Sequence, residues 1–244
     1  MRDTLKIMRF DLLTASPFAV RGFILVAMLC VWMGLFYAPI TLAFIVLGAL
    51  PFVLPLNGVA DRSDFSKLYG VMPVSRRSIT RGRFIYIFAV FFLTELAEIA
   101  FAVISHTLNL SRLLPDRNSA LMEYVKYAFE KEATTLLVVF VLFTAVCIFV
   151  AYMEMMVQIF GAENLFRIMA ASVLVALGVF AAYCMCEMTG HGIVYSFGIN
   201  YYIVNLLDYL EYTIPFGIVL NIIALVLCLV FGRITARRLS KREL

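Results

Sequence analysis

The sequence predicts an all-α, polytopic membrane protein with six transmembrane helices. Three observations predict this class. The 244 residues are 64% hydrophobic and only 15% charged, and a mean hydropathy of +0.97 lies outside the usual range for a soluble domain. Six apolar runs each approach the roughly 20 residues that a bilayer core requires. Basic residues are concentrated in alternate connecting segments, which is the pattern of a multi-pass protein of the plasma membrane.

The six runs divide the chain into one transmembrane domain over residues 1–244. No secretory signal is expected at its start, because acidic residues interrupt the basic ones and no cleavage pattern follows the first run. In order, the predicted elements are an interfacial helix (1–16), spans one and two (17–60), a cytoplasmic loop (61–83), span three (84–105), an extracellular segment (106–133), spans four and five (134–188), a second extracellular segment (190–212), span six (213–231) and a cytoplasmic tail (232–244).

The predicted interfacial helix is amphipathic. Leu5, Met8 and Leu12 share one face, and Lys6 and Arg9 lie on another, which suits a helix lying in the membrane interface. A loosely ordered basic leader is the alternative.

Span two is the least regular of the six. It contains Pro51, Pro55 and Gly58, which predict a kink or break near its inner end.

The distribution of positive charge fixes the predicted orientation. Of the 20 Lys and Arg residues, 16 lie in or next to the predicted cytoplasmic segments, counting Arg21 and Arg167 near the inner ends of spans, and four lie in the extracellular segment 106–133, where acidic residues offset them. Cytoplasmic loops carry the excess of Lys and Arg. Both termini are therefore expected in the cytoplasm, and the opposite orientation is rejected.

The loop 61–83 has an internal order that a simple turn would not need. Asp64 can cap a short helix, Phe65–Tyr69, which Gly70 can end, and Pro73 stiffens the return toward span three. Ser75 can then cap the next helix. A capped helix lying along the membrane face indicates a docking surface for a partner.

Three short motifs carry a resemblance to a known family. They are MPVSR at 72–76, QIFGAENLFRI at 158–168 and the tail LSKREL. By their order and spacing, the chain resembles an ABC-2-type transporter permease subunit, in particular the small six-span permeases of Gram-positive bacteria typified by the phenol-soluble-modulin exporter. The resemblance covers essentially the whole chain and implies export of peptides or of amphipathic, drug-like molecules.

The resemblance also implies a division of labour between subunits. A separate ABC ATPase subunit would bind ATP and Mg, two permease subunits would pair as a homodimer or with a sister subunit, and the first cytoplasmic loop would be a coupling helix held by the ATPase. In agreement, the chain has no G-x-x-x-x-G-K-[ST] motif of its own. The candidate docking residues are Asp64, Phe65, Lys67, Leu68, Tyr69, Pro73, Arg76 and Arg77.

The arginines of this loop also have a simpler interpretation. They can fix the topology by meeting anionic lipid head groups. We assign Arg81 and Arg83 to that role and the short helix to docking.

Two carboxylates near the middle of span three are the other unusual feature. Glu95 and Glu98 are three residues apart and so share one helix face. Intramembrane carboxylates face the protein interior or water. One interpretation is that they line a translocation pathway with Asn57 and attract a cationic or amphipathic substrate. The other is that they are protonated or hydrogen-bonded packing residues that hold spans together through Asn57 or a Tyr.

The sequence argues against an intramembrane enzyme. Its two histidines, His106 and His191, are both predicted outside the membrane, and it has neither H-E-x-x-H nor a G-x-S-x-G-like nucleophile. No cofactor, metal site or nucleic-acid partner is expected, and the five cysteines are interpreted as packing residues. Glu154 is expected to be structural, and Glu187 to be solvated. An accessory or immunity-type membrane protein, which binds a target without moving it, remains the alternative to a transporter.

Overall fold

The structure is a computed structural model that describes residues 44–53, 76–108, 132–161 and 209–241, together with 6, 7, 9, 12, 13, 164, 167, 170–172, 174 and 178. Within these residues the chain is helical apart from short turns and contains no strand, which confirms the all-α class. Helix α1 spans Phe44–Val53, α2 spans Arg76–Thr107, α3 spans Glu132–Phe160 and α4 spans Leu210–Lys241. The first turns of α1, Phe44–Ala49, are a π-helix.

Three of these helices are long and apolar enough to cross a membrane: Ser78–Ile104, Glu132–Phe160 and Leu210–Leu239. They correspond to the predicted spans three, four and six, and α1 is a short apolar helix within the predicted second span. The predicted first span lies outside the described residues. Of the fifth span and the interfacial helix only scattered positions are described, and these are helical.

Two of the helices are longer than the predicted spans. Helix α2 begins at Arg76, directly after Ser75, the residue predicted to cap it, so that 76–83 are helical rather than loop. Helix α4 begins at Leu210 and continues to Lys241, through most of the predicted tail. Arg and Lys are good helix formers, so the basic residues at these ends can continue a helix. No proline lies between Pro73 and the end of α2, or between Pro215 and the end of α4, to interrupt either helix. Once started, a helix does not have to end where the apolar residues end.

The three long helices pack into one bundle in which α2 is antiparallel to the other two. Near the start of α2, Arg83 contacts Glu154 in the last third of α3. Further along α2, Glu95 contacts Asn221 in the first half of α4. Helices α3 and α4 run parallel, because early and late contacts between them keep the same order, Phe140 with Gly217 and then Tyr152 with Phe231. The end of α3 and the start of α4 therefore lie at opposite ends of the bundle.

The interior of the bundle is filled by large apolar side chains from all three helices. Those that are essentially inaccessible to solvent include Phe84, Ile87, Phe91, Val139, Phe143 and Cys228. Helix α1 packs antiparallel along α2. The Tyr86 hydroxyl donates a hydrogen bond to the Phe52 carbonyl oxygen at 3.1 Å, and the rings of Phe44 and Phe101 lie 6.1 Å apart.

Between Ile214 and Val230 the outer surface of α4 is apolar. The exposed large side chains of this stretch, each roughly half accessible, are Ile214, Ile218, Val219, Ile222, Ile223, Val226, Leu229 and Val230. A continuous apolar face of this kind is unusual on a soluble monomer. Lipid tails are as apolar as these side chains, so the same face is ordinary for a helix in a bilayer.

Candidate functional site

Glu95 lies inside the bundle, on the face of α2 that meets α4. Its side chain is only 2% exposed. It follows the midpoint of the apolar segment Ser78–Ile104 by about 6 Å of helix, close to the middle of a span. A carboxylate at this depth needs a polar partner, because no water is there to replace one.

That partner is Asn221 of α4. Its Nδ2 donates a hydrogen bond to Glu95 Oε1 at 3.0 Å and a second one to the Gly217 carbonyl oxygen, one turn earlier, at 3.1 Å. Both donors of the amide are therefore engaged, which fixes its orientation. A Cβ placed on Gly217 would overlap the ring of Phe140, so the close approach of α3 and α4 at this level favours glycine.

A narrow crevice surrounds this hydrogen bond, and each of the three long helices contributes a polar group to it. Thr144 of α3 joins Glu95 and Asn221. Its Oγ1 is buried and has no hydrogen-bond partner within the described part of the chain. Phenylalanine rings form most of the wall, and the complete lining is Phe88, Phe91, Phe92, Glu95, Phe143, Thr144, Cys147, Asn221 and Ala224.

Glu98 is placed differently from Glu95. It is equally buried, at 2% exposed, and lies one turn further along the same face. It is not among the side chains that line the crevice. The shared face predicted for the two carboxylates is therefore observed, but the crevice contains only the first of them.

Two buried thiols lie at or near the crevice. Cys147 of α3 lines it, Cys228 lies on α4, and neither forms a disulfide. No group of three or more His, Cys, Asp or Glu side chains suited to a metal ion occurs within the described ranges. The position of these two thiols fits the prediction of packing residues.

A second polar cluster joins α2 to α3 near the other end of the bundle. Arg83 Nε lies 3.1 Å from Glu154 Oε1, with the side chains 12% and 4% exposed. Gln158, one turn after Glu154, donates a hydrogen bond to the same carboxylate oxygen. The assignment of Arg83 to lipid head groups is therefore wrong, because its guanidinium is turned into the protein toward a buried carboxylate. Arg81, two residues earlier, is exposed and compatible with the role assigned to it.

Most of the predicted docking residues cannot be compared with the structure. Asp64, Phe65, Lys67, Leu68, Tyr69 and Pro73 lie outside the described residues, as does Asn57 of the predicted pathway. Arg76 and Arg77 form the first turn of α2, so they extend a membrane-spanning helix rather than lie within the loop.

Sequence reasoning missed Asn221 and Thr144, which complete the polar centre. A signal for Asn221 was present, since it is the one amide side chain in the predicted sixth span. Polar side chains within a span are expensive and usually find a partner across helices. Thr144 gave no such signal, because threonine is common in helices of this kind.

Comparison with known proteins assigns no family. Neither the protein-family models, nor the curated proteins, nor the solved structures contain a match to this chain.

Proposed function

We propose that the chain is the membrane-spanning permease subunit of an ABC-2-type ABC transporter, driven by a separate ATPase subunit and exporting peptides or amphipathic, drug-like molecules. The sequence motifs and the charge distribution support this proposal. Among the structural observations, the one that carries most weight is the buried carboxylate of Glu95 within an aromatic crevice shared by three apolar helices.

A transport pathway has to offer polar groups at a depth where lipid offers none. Glu95, Asn221 and Thr144 do so near the middle of the predicted spans. The parallel course of α3 and α4 supports the proposed topology, since spans four and six of an alternating six-span protein run in the same direction. The apolar outer face of α4 supports contact with lipid or with a second permease subunit.

The proposed energy source lies outside this chain. A permease without a nucleotide site is driven through contact with its ATPase, and the short helix 64–69 is the proposed contact. Phe65 and Tyr69, four residues apart, would project from one face of that helix. Aromatic anchors in a groove commonly cost about 2 kcal/mol or more when truncated, which is roughly a thirtyfold loss of affinity.

Purification of the tagged chain with the products of its neighbouring genes tests the proposal. We expect a stoichiometric ATPase to be retained by the native chain and lost from the Phe65→Ala, Tyr69→Ala double variant. Arg81→Ala, which removes an exposed charge from the start of α2, is the control and should retain the ATPase. If the native chain binds no ATPase, it is not a permease subunit of this class, and the accessory alternative gains.

A second measurement connects the crevice to transport. Glu95→Gln keeps a side chain that can accept from Asn221 while it removes the charge, so insertion and ATPase retention should be preserved. Substrate-stimulated ATP turnover in lipid should fall. Unchanged turnover would mean that Glu95 only holds α2 to α4.

A further inference from the structure

We infer that the exposed face of α4 binds an anionic phospholipid, with the head group against two arginines and one acyl chain along the apolar side chains that precede them. The inference goes beyond the proposed function, because it needs neither an ATPase nor a transported substrate. We call this surface the lipid stripe and define it by Val219, Ile222, Val226, Val230, Arg233 and Arg237.

The lipid stripe runs along one side of α4. Its members follow one another at steps of three and four residues, which places them on one helix face, and all of them are exposed. Val219 and Val230 are eleven residues apart, about 16 Å of helix. That length is close to half of the roughly 30 Å hydrocarbon core, which is the depth of one leaflet. The two arginines therefore follow at the level where the hydrocarbon of that leaflet ends.

The end of the bundle that carries these two arginines has a further exposed cation at the same level. Helix α2 runs antiparallel to α4, and a Cβ placed on Gly232 would lie 3.2 Å from Phe84 Cδ2, so the two residues are level with each other. Arg81 precedes Phe84 by one turn and is exposed. It is therefore level with the turn of α4 that follows Gly232, between the two arginines of the lipid stripe.

The acidic residues of the three long helices do not neutralise this end. Glu132 and Glu211 lie in the first turns of α3 and α4, at the opposite end of the bundle. Glu154 is near the basic end, but it is buried and paired with Arg83. Exposed positive charge beside an apolar, lipid-facing surface is complementary to a phospholipid whose head group is negative.

The chemistry of the lipid stripe favours lipid over a second copy of the chain. Helices that pack together in membranes present small residues to each other, whereas the apolar part of this stripe consists of Val and Ile. The glycines of α4, Gly217 and Gly232, are buried against Phe140 and Phe84 inside the bundle. A parallel two-fold pairing along the stripe would also bring the same arginines of both copies to one level, where like charges repel. A phosphate would instead accept hydrogen bonds from both guanidinium groups.

Native mass spectrometry of the purified chain, without any ATPase, tests the inference. The chain in detergent is titrated with phosphatidylglycerol or with phosphatidylcholine of the same acyl chains. A basic side chain near an anionic head group contributes roughly a fivefold factor, so two of them should make phosphatidylglycerol bind about twenty-five-fold more tightly. Soluble glycerol 3-phosphate, which lacks acyl chains, should not displace the lipid.

Variants then assign the preference to the lipid stripe. Arg233→Gln should weaken binding of phosphatidylglycerol about fivefold, and Arg233→Gln with Arg237→Gln should remove the preference over phosphatidylcholine. Arg238→Gln is the matched control. Arg238 is exposed and carries the same charge, but it lies about 100° further around the helix than Arg237, so its replacement should change the affinity by less than about twofold.

Photo-cross-linking locates the bound lipid on α4. Benzoylphenylalanine is placed at Val226, in the middle of the lipid stripe, in nanodiscs with equal amounts of the two lipids. We expect an adduct of one phospholipid that is enriched in phosphatidylglycerol. The same group at Leu93, an exposed apolar residue of α2 outside the stripe, should give adducts of both lipids without that enrichment.

Four results would overturn the inference: equal affinity for the two lipids, a preference retained by the double variant, displacement by glycerol 3-phosphate, or a cross-linked dimer at Val226 in place of a lipid adduct. Should the double variant fail to fold, Arg233→Gln and the comparison of lipids on the unaltered chain decide the question. No ATPase is present in these assays, so their failure would leave the proposed transporter standing, and a chain that retains no ATPase could still bind the lipid.

Discussion

The ion pair between Arg83 and Glu154 gives the sharpest test of the bundle. The two side chains are 12% and 4% exposed, and the charged atoms are 3.1 Å apart. Glu154→Leu leaves the guanidinium beside an apolar side chain, and Arg83→Met leaves the carboxylate with Gln158 as its neutral donor. Breaking a buried pair in this way costs about 3–5 kcal/mol, because the remaining charge stays buried without its partner.

Removing both charges together should cost far less than the sum. A well-packed apolar pair often replaces a buried ion pair with little loss, so we expect the double variant to recover most of the stability lost by either single variant. Gln158 loses its acceptor in the double variant, which accounts for a residual cost of about 1 kcal/mol. Arg81→Met is the control, since Arg81 is exposed and its replacement should change stability by no more than about 0.5 kcal/mol.

The measurement is reversible unfolding in mixed micelles, in which the free energy of unfolding is obtained for the four proteins of the cycle and for the control. Single variants no less stable than Arg81→Met would show that Arg83 and Glu154 do not form a buried contact. Additive losses in the double variant would show that the two side chains act independently, whatever their distance.

Two further predictions concern helix packing and topology. Gly217→Ala should destabilise the protein by about 1–3 kcal/mol, because the new Cβ would overlap the Phe140 ring, whereas Gly178→Ala, with nothing within 4 Å, should be tolerated in the same unfolding assay. In intact cells, Ser66→Cys should resist an impermeant thiol reagent while Ser119→Cys reacts, because the charge distribution places 61–83 inside and 106–133 outside. Ready labelling of Ser66→Cys by the impermeant reagent would contradict this topology.

The long helices could be predicted because few backbone conformations are stable in a bilayer. Backbone groups in lipid have to bond within their own segment, so an apolar run of sufficient length is a helix. Hydropathy alone did not predict the ends of α2 and α4, although the capping residue Ser75 indicated where α2 begins. Hydropathy marks where a helix leaves the lipid, but Arg76 and Lys241 belong to turns that continue beyond that level.

The partners of the buried charges were harder to predict than their burial. Glu95 and Asn221 are 126 positions apart, and their hydrogen bond depends on how α2 and α4 are rotated about their axes. Because the apolar residues of these spans are distributed almost evenly around each helix, the sequence gives little information about that rotation. The pairing of Arg83 with Glu154 was missed for a related reason, since a basic residue near a span end is ordinarily explained by lipid head groups alone.

The identity of residue 95 bears on whether its role is structural or functional. Holding α2 to α4 requires only an acceptor for Asn221 Nδ2, and glutamine would supply it without charge. A charged group at the centre of a span costs at least about 2.5 kcal/mol on insertion scales, so the carboxylate is the more expensive way to make the same contact. A second, uncharged acceptor is already present, because the Gly217 carbonyl receives the other N–H of Asn221. The packing of the bundle therefore accounts for a polar residue at position 95, and a charged acid there is what the proposed pathway for a cationic or amphipathic substrate would use.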